Sequence, residues 1–102
     1  MDTSKKNPSS TTGSNFKETP RYSITLSEAK ETPFLFVLSA LTDIFGKTRA
    51  EAVDLAFLLE NNLVVEVGLY NWEVARHLNA LTMSYCKYNG YSLKCKWMRA
   101  NQ

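Results

Sequence analysis

Three helix-start signals constrain this chain more than any other feature. Thr32-Pro33 places a hydroxyl at an N-cap and a proline at the first helical position, where a missing N–H costs nothing. Thr48-Arg49-Ala50-Glu51 is a capping box, in which hydroxyl and carboxylate each satisfy an orphan N–H of the first turn. Asn71 is a third cap, and Glu73 behind it suits the positive end of the helix dipole. Each signal opens an apolar stripe of helical period. The first carries Phe34, Val37, Leu38, Leu41, Ile44 and Phe45 and stops at Gly46. The second carries Val53, Ala56, Phe57 and Leu59 and stops at Asn61-Asn62. The third carries Val74, Leu78, Leu81 and Tyr85 inward and stops at Asn89-Gly90. Strand patterns fill the gaps. Tyr22, Ile24 and Leu26 alternate with Ser23 and Thr25, and Leu63 to Leu69 is a β-branched run. Tyr91, Leu93, Cys95 and Trp97 alternate with Ser92, Lys94 and Lys96. The order is β-α-α-β-α-β, an α+β class domain whose three-stranded antiparallel sheet is covered by three helices.

Residues 1–20 are rich in Ser, Thr, Lys, Asn, Gly and Pro, with Phe16 as the one aromatic. Such a stretch buries too little apolar area to offset the entropy of ordering it, so it reads as a disordered tail. The domain is expected over 21–98, with 99–102 a short C-terminal tail. With 102 residues there is room for one domain and a modest core, burying about 60–65% of the unfolded chain's surface. The net charge of +2 argues against nucleic acid as the main partner. No 18-residue apolar run and no N-terminal apolar region occur, so neither a membrane span nor a secretory signal is expected, and the protein reads as cytoplasmic. Two cysteines nine residues apart, Cys86 and Cys95, fit a reducing compartment and neither a zinc nor a redox spacing. Cys95 is expected in the core. His77, the only histidine, has no paired group around it and reads as an exposed helix residue. No hydrolase, P-loop or zinc-protease motif occurs. The expectation is a non-enzyme with no catalytic residue, metal or cofactor.

Several words of this order resemble the ClpS family, adaptors that hand substrates to a Clp AAA+ unfoldase and its protease. They are Tyr22-x-Ile24-x-Leu26, Thr32-Pro33-x-x-Phe36-Val37, Leu41-x-x-x-Phe45, Ala52-x-x-Leu55, Gly68, Glu73-Val74-Ala75, Tyr85 and Leu93-x-Cys95. The resemblance runs from about Tyr22 to Cys95 without visible insertion or deletion. It implies recognition of a protein's N-terminal residue, the N-degron, with a bulky first side chain in a small apolar pocket. The pocket positions fall on Leu26, Thr32, Phe34, Val37, Ala56, Leu59 and Leu93. Rim residues would bind the free α-ammonium. Here the sequence departs from the family: Asn-Asp-Asp becomes Glu28, Ala29 and Lys30, and a helix-two histidine becomes Glu60. Glu28 and Glu60 are nevertheless carboxylates, which accept charge-assisted bonds from an ammonium. Glu73 matches a residue that contacts the unfoldase, Trp72 beside it is a candidate interface anchor, and a family lysine five positions on is Leu78. The resemblance thus implies an adaptor whose partners are a Clp unfoldase and substrate N-termini; the protein is expected to be a monomer, and burial of one side chain plus the ammonium contacts leads to an expectation of micromolar binding.

Two other readings remain open at this point. One is a diverged interaction module or decoy that keeps the fold without N-degron binding, with Glu28 and Glu60 as solvated surface charges. The other is weak nucleic-acid binding through Lys87, Lys94, Lys96 and Arg99 interleaved with Tyr88, Tyr91 and Trp97. Lysines guarding a sheet edge are the plainer account of that stretch.

Overall fold

The computed structural model describes residues 20–100; the expected tail over 1–20 falls outside them apart from Pro20. The elements are β1 (Tyr22–Ser27), α1 (Phe34–Asp43), α2 (Arg49–Glu60), β2 (Val65–Tyr70), α3 (Trp72–Asn89) and β3 (Lys94–Arg99). The order and class are those the caps and alternation imply.

The first strand lies at the centre of the sheet, in the order β2-β1-β3, and both pairings are antiparallel. Ile24 and Leu26 face the helices and are fully buried. Their partners across β3 are Trp97 and Cys95. On β2 the register shifts between Ile24 and Thr25, so that Val67 is the extra residue of a bulge. The extra residue lets Val65 and Gly68 both pair with core-facing residues of β1. A side chain at Gly68 would require the Tyr70 ring to move: a Cβ there would stand 2.6 Å from the Tyr70 hydroxyl. The core joins these strands to Val37, Leu38 and Leu41 of α1, Ala52, Ala56 and Leu59 of α2, and Ala75 and Cys86 of α3.

The caps form in two of three cases as the sequence implies. Thr48 Oγ1 accepts from Glu51 N and Glu51 Oε1 accepts from Thr48 N, both at 3.1 Å. Asn71 Oδ1 accepts from Val74 N at 2.8 Å. Helix α1 is different. Its N-cap is Pro33, no side chain caps it, and Thr32 lies one residue outside. Gly90 (φ 76°) is the left-handed C-cap that ends α3, whereas α1 ends at Asp43 with Ile44 as a right-handed C-cap, and Gly46 (φ 64°), where the sequence places the stop, lies further on in the loop.

Four further expectations need correcting. Leu63 and Val64 are exposed and precede β2. Tyr91 and Leu93 precede β3, although Leu93 is buried. The inward face of α3 is Ala75, Thr82 and Cys86, while Val74 and Leu81 are exposed. Cys95 is only partly buried against the core and Cys86 is the deeper thiol. Strand pairing also runs past residue 98: Arg99 pairs with Tyr22, and Ala100 N donates to Arg21 O at 2.9 Å.

Candidate functional site

The expected pocket residues come from β1, the β1–α1 loop, α1, α2 and the segment entering β3. Leu26, Val37, Ala56, Leu59 and Leu93 belong to one buried cluster. Phe34, at the first position of α1, packs against that cluster half-buried. Its ring meets Phe57 of α2 with centroids 5.5 Å apart. Leu26 and Leu59 have no exposed surface at all. The cluster is therefore packed on itself, and Phe34 and Phe57 are its aromatic margin.

Thr32 is the polar member. Freed from capping α1, its hydroxyl is buried and has no hydrogen-bond partner in the protein. Its backbone N–H donates to Ala29 O at 3.0 Å, which closes the loop from β1 into a turn. A buried hydroxyl without a partner costs about 1–3 kcal/mol, so the position calls for an explanation.

The rim residues do not share one environment. Ala29 differs from expectation: its methyl lies in the core, and only its carbonyl serves the loop. Glu28 stands just past β1 with φ 55°, a left-handed conformation uncommon for a side chain other than Asn, Asp or Gly. Its carboxylate lies 3.3 Å from Lys94 Nζ. Glu60, the last residue of α2, is exposed. Lys30 is exposed beside Ala29.

A second surface gathers at the other end of the sheet. The Trp72 ring is half exposed (50%), lies 6.3 Å from Trp97, and carries the Arg76 guanidinium 5.1 Å above its centroid. Trp97 in turn meets Tyr22 at 5.5 Å. Glu73 follows in the first turn of α3, exposed. The sequence singled out Trp72. It gave no sign of the three-ring row, because Tyr22 and Trp97 adjoin only once β1 pairs with β3.

The remaining chemistry-bearing groups are accounted for locally. A surface cavity of about 270 Å³ is lined by Lys47, Glu51, Asp54, Leu55 and Glu66. Two of its three carboxylates already have partners: Glu51 caps α2, and Glu66 accepts from Ser23 Oγ at 2.6 Å. Burial pushes the Cys86 thiol up, and pushes Cys95 up to about 11, opposed by a hydrogen bond from Thr82 and reinforced by neighbouring Cys86. Such thiols are poor nucleophiles near neutral pH. Among the described residues no three His, Cys, Asp or Glu side chains group as a metal site, and no helix is long and apolar enough to cross a membrane.

Comparison with known proteins fits this architecture. The family described as ATP-dependent Clp protease adaptor protein ClpS matches residues 17–96. The ClpS adapter protein of Treponema denticola is 31% identical over 79% of this chain and 80% of its own length. That of Nitratidesulfovibrio vulgaris strain DP4 is also 31% identical, over 72% of this chain and 71% of its own. The structure of Agrobacterium tumefaciens ClpS2 bound to L-phenylalaninamide superposes with a TM-score of 0.74 at 16% identity, covering 80% of this chain and 99% of that one. It shares the fold of β-α-α-β-α-β order described above. Matched across residues 17–96, the chain belongs to the ClpS family.

Proposed function

We propose that this protein is a cytoplasmic adaptor that binds the first residue of another polypeptide at the Leu26–Thr32–Phe34–Val37–Ala56–Leu59–Leu93 cluster and links it to a Clp AAA+ unfoldase. The observation that carries the reading is convergence. Five of the seven expected pocket residues, drawn from separate elements, meet in one buried cluster, and an unpartnered hydroxyl lies in the loop leading to it. The ligand of the Agrobacterium relative supports it chemically, since L-phenylalaninamide is an N-terminal residue in miniature: a bulky apolar side chain, an amide and a free amine. Here the side chain enters as Phe34 and Phe57 part. Its burial contributes about 1.5–3 kcal/mol. The α-ammonium meets the Glu28 carboxylate at the cluster's edge in a charge-assisted bond. Trp72 and Glu73, at the opposite end of the sheet, face the unfoldase, so both partners are held at once.

A second reading has its own support. Leu26 and Leu59 carry no exposed surface, which suits a module that keeps the adaptor fold and engages an unfoldase without taking a peptide. Titration separates the two. Peptides beginning with Phe, Leu, Tyr or Trp are expected to shift the NMR signals of Phe34, Val37 and Leu59 at micromolar concentrations, and their N-acetylated forms much less. No response to any first residue, with a Clp unfoldase still retained in pull-down, replaces the first reading by the second.

A further inference from the structure

The rim carboxylate most directly joined to the cluster already has an ammonium partner. Glu28 follows Ser27, and Ser27 pairs with Lys94 across the sheet, so the end of β1 and the start of β3 lie side by side. The Glu28 backbone is held in place. The next residue, Ala29, is buried, and its carbonyl is bonded to Thr32 N, so the loop is pinned on both sides of a left-handed Glu28 backbone. From that fixed base the carboxylate reaches Lys94 Nζ at 3.3 Å. Lys94 is itself placed by Leu93, the preceding residue, whose side chain is in the cluster. Glu28 and Lys94 are thus each next in the chain to a residue of that cluster, Ala29 and Leu93.

We infer that Lys94 is an internal competitor for the ammonium seat, and so a determinant of how tightly and how selectively the site binds. The inference rests on the reading of the site given above. To a carboxylate, a lysine ε-ammonium and a polypeptide's α-ammonium are the same group: a primary ammonium with three donors. Lys94 Nζ already lies 3.3 Å from Oε2. A second ammonium on the same carboxylate, even at Oε1, meets the like charge of Lys94, so an incoming N-terminus makes its charge-assisted bond against the resident pair, and what that pair is worth comes off the affinity. The pair is soft enough to yield: both side chains keep substantial solvent contact, 46% for Lys94 and 64% for Glu28. An exposed pair of this kind is worth a factor of about two to five in an equilibrium constant. Lys94 thus sets a threshold. A first residue that fills the apolar cluster well clears it, and one that binds mainly through its ammonium does not.

The test is a double-mutant cycle on the full chain, read as Kd for a fluorescent peptide beginning with Phe. Lys94→Gln keeps a polar side chain, one atom shorter, and removes the competing charge. Its expected effect is affinity raised about two- to fivefold for the free-amine peptide and unchanged for the N-acetylated one. In a Glu28→Gln background the same substitution is expected to change nothing, because the contested carboxylate is gone. Circular dichroism checks that each variant is folded, and both substitutions are at exposed side chains. Equal or weaker binding by Lys94→Gln overturns the inference while leaving the site reading intact, as does an equal gain in the Glu28→Gln background. Absence of peptide binding by both the parent protein and Lys94→Gln removes the site reading and this inference together.

Discussion

Replacing Thr32 by valine separates two accounts of the same residue by the sign of one measurement. If Thr32 capped α1, as its place before Pro33 implies, losing the hydroxyl would cost about 0.5–2 kcal/mol. In the structure the hydroxyl caps nothing, is 7% exposed at the residue level, and has no partner. Valine keeps the branched shape and removes only the polarity. The stranded group costs about 1–3 kcal/mol, so Thr32→Val is expected to stabilise the domain by at least about 1 kcal/mol. For a domain of this size that corresponds to a melting temperature higher by about 4–8 °C. Thermal unfolding followed by far-ultraviolet circular dichroism reads it directly, with a urea titration at 25 °C as a check that the unfolding slope is unchanged. A melting temperature lower by several degrees refutes the reasoning and restores the hydroxyl to the helix.

Three other outcomes are expected. Thr48→Ala breaks the capping box of α2 and should cost about 1 kcal/mol by urea denaturation, while the Glu51 carboxyl, held below its ordinary value first by the Thr48 backbone N–H that alanine retains, should keep most of its shift in an NMR titration; a full return to the ordinary value would assign the shift to the lost hydroxyl instead. Cys95 holds its proton in the folded state up to about 11 but releases it near 9 when unfolded, so its contribution to stability is intact below pH 9 and is lost as pH rises from 9 to 11. Iodoacetamide at pH 8 should therefore label it slowly until urea is added, and rapid labelling of the folded protein contradicts its burial. Trp72→Ala should weaken retention by a Clp unfoldase by at least tenfold with peptide binding unaltered; unchanged retention takes Trp72 out of that interface.

What the sequence revealed depended on how local the determining interaction was. The capping box of α2 spans four residues and is complete in the sequence, and it forms as written. The inner face of α3 is masked in the sequence because two stripes of helical period overlap there. Large Val74 and Leu81 catch the eye. Packing a helix closely on a sheet instead favours small residues, and the buried stripe is Ala75, Thr82 and Cys86. Leu63 and Val64 look like strand, yet β2 starts after them, since Val65 is the residue that finds Leu26 opposite. Thr32 failed as a cap for a tertiary reason: the loop turns on Ala29, and the helix begins one residue later. Of the seven positions that the family resemblance picks out, Leu26, Val37, Ala56, Leu59 and Leu93 do meet in one buried cluster. The Glu28–Lys94 pair and the Tyr22–Trp97–Trp72 row were not legible, because Glu28 and Lys94, and Tyr22 and Trp97, are brought together only by β1–β3 pairing, and Trp72 reaches Trp97 only as α3 packs on β3.

The central place of β1 has a consequence for how the protein is made. Its two hydrogen-bonded neighbours are both synthesised later, and the partner of Tyr22 on one side is Arg99. On the ribosome, α1 and α2 can dock as a local hairpin, but β1 must wait, with Ile24 and Leu26 unburied, until residues 94–99 have cleared the exit tunnel. Such distant pairing closes late and slowly. A nascent chain halted before Lys94 therefore lacks one flank of its middle strand, and trimming those few residues from the finished protein should unfold it rather than merely shorten it.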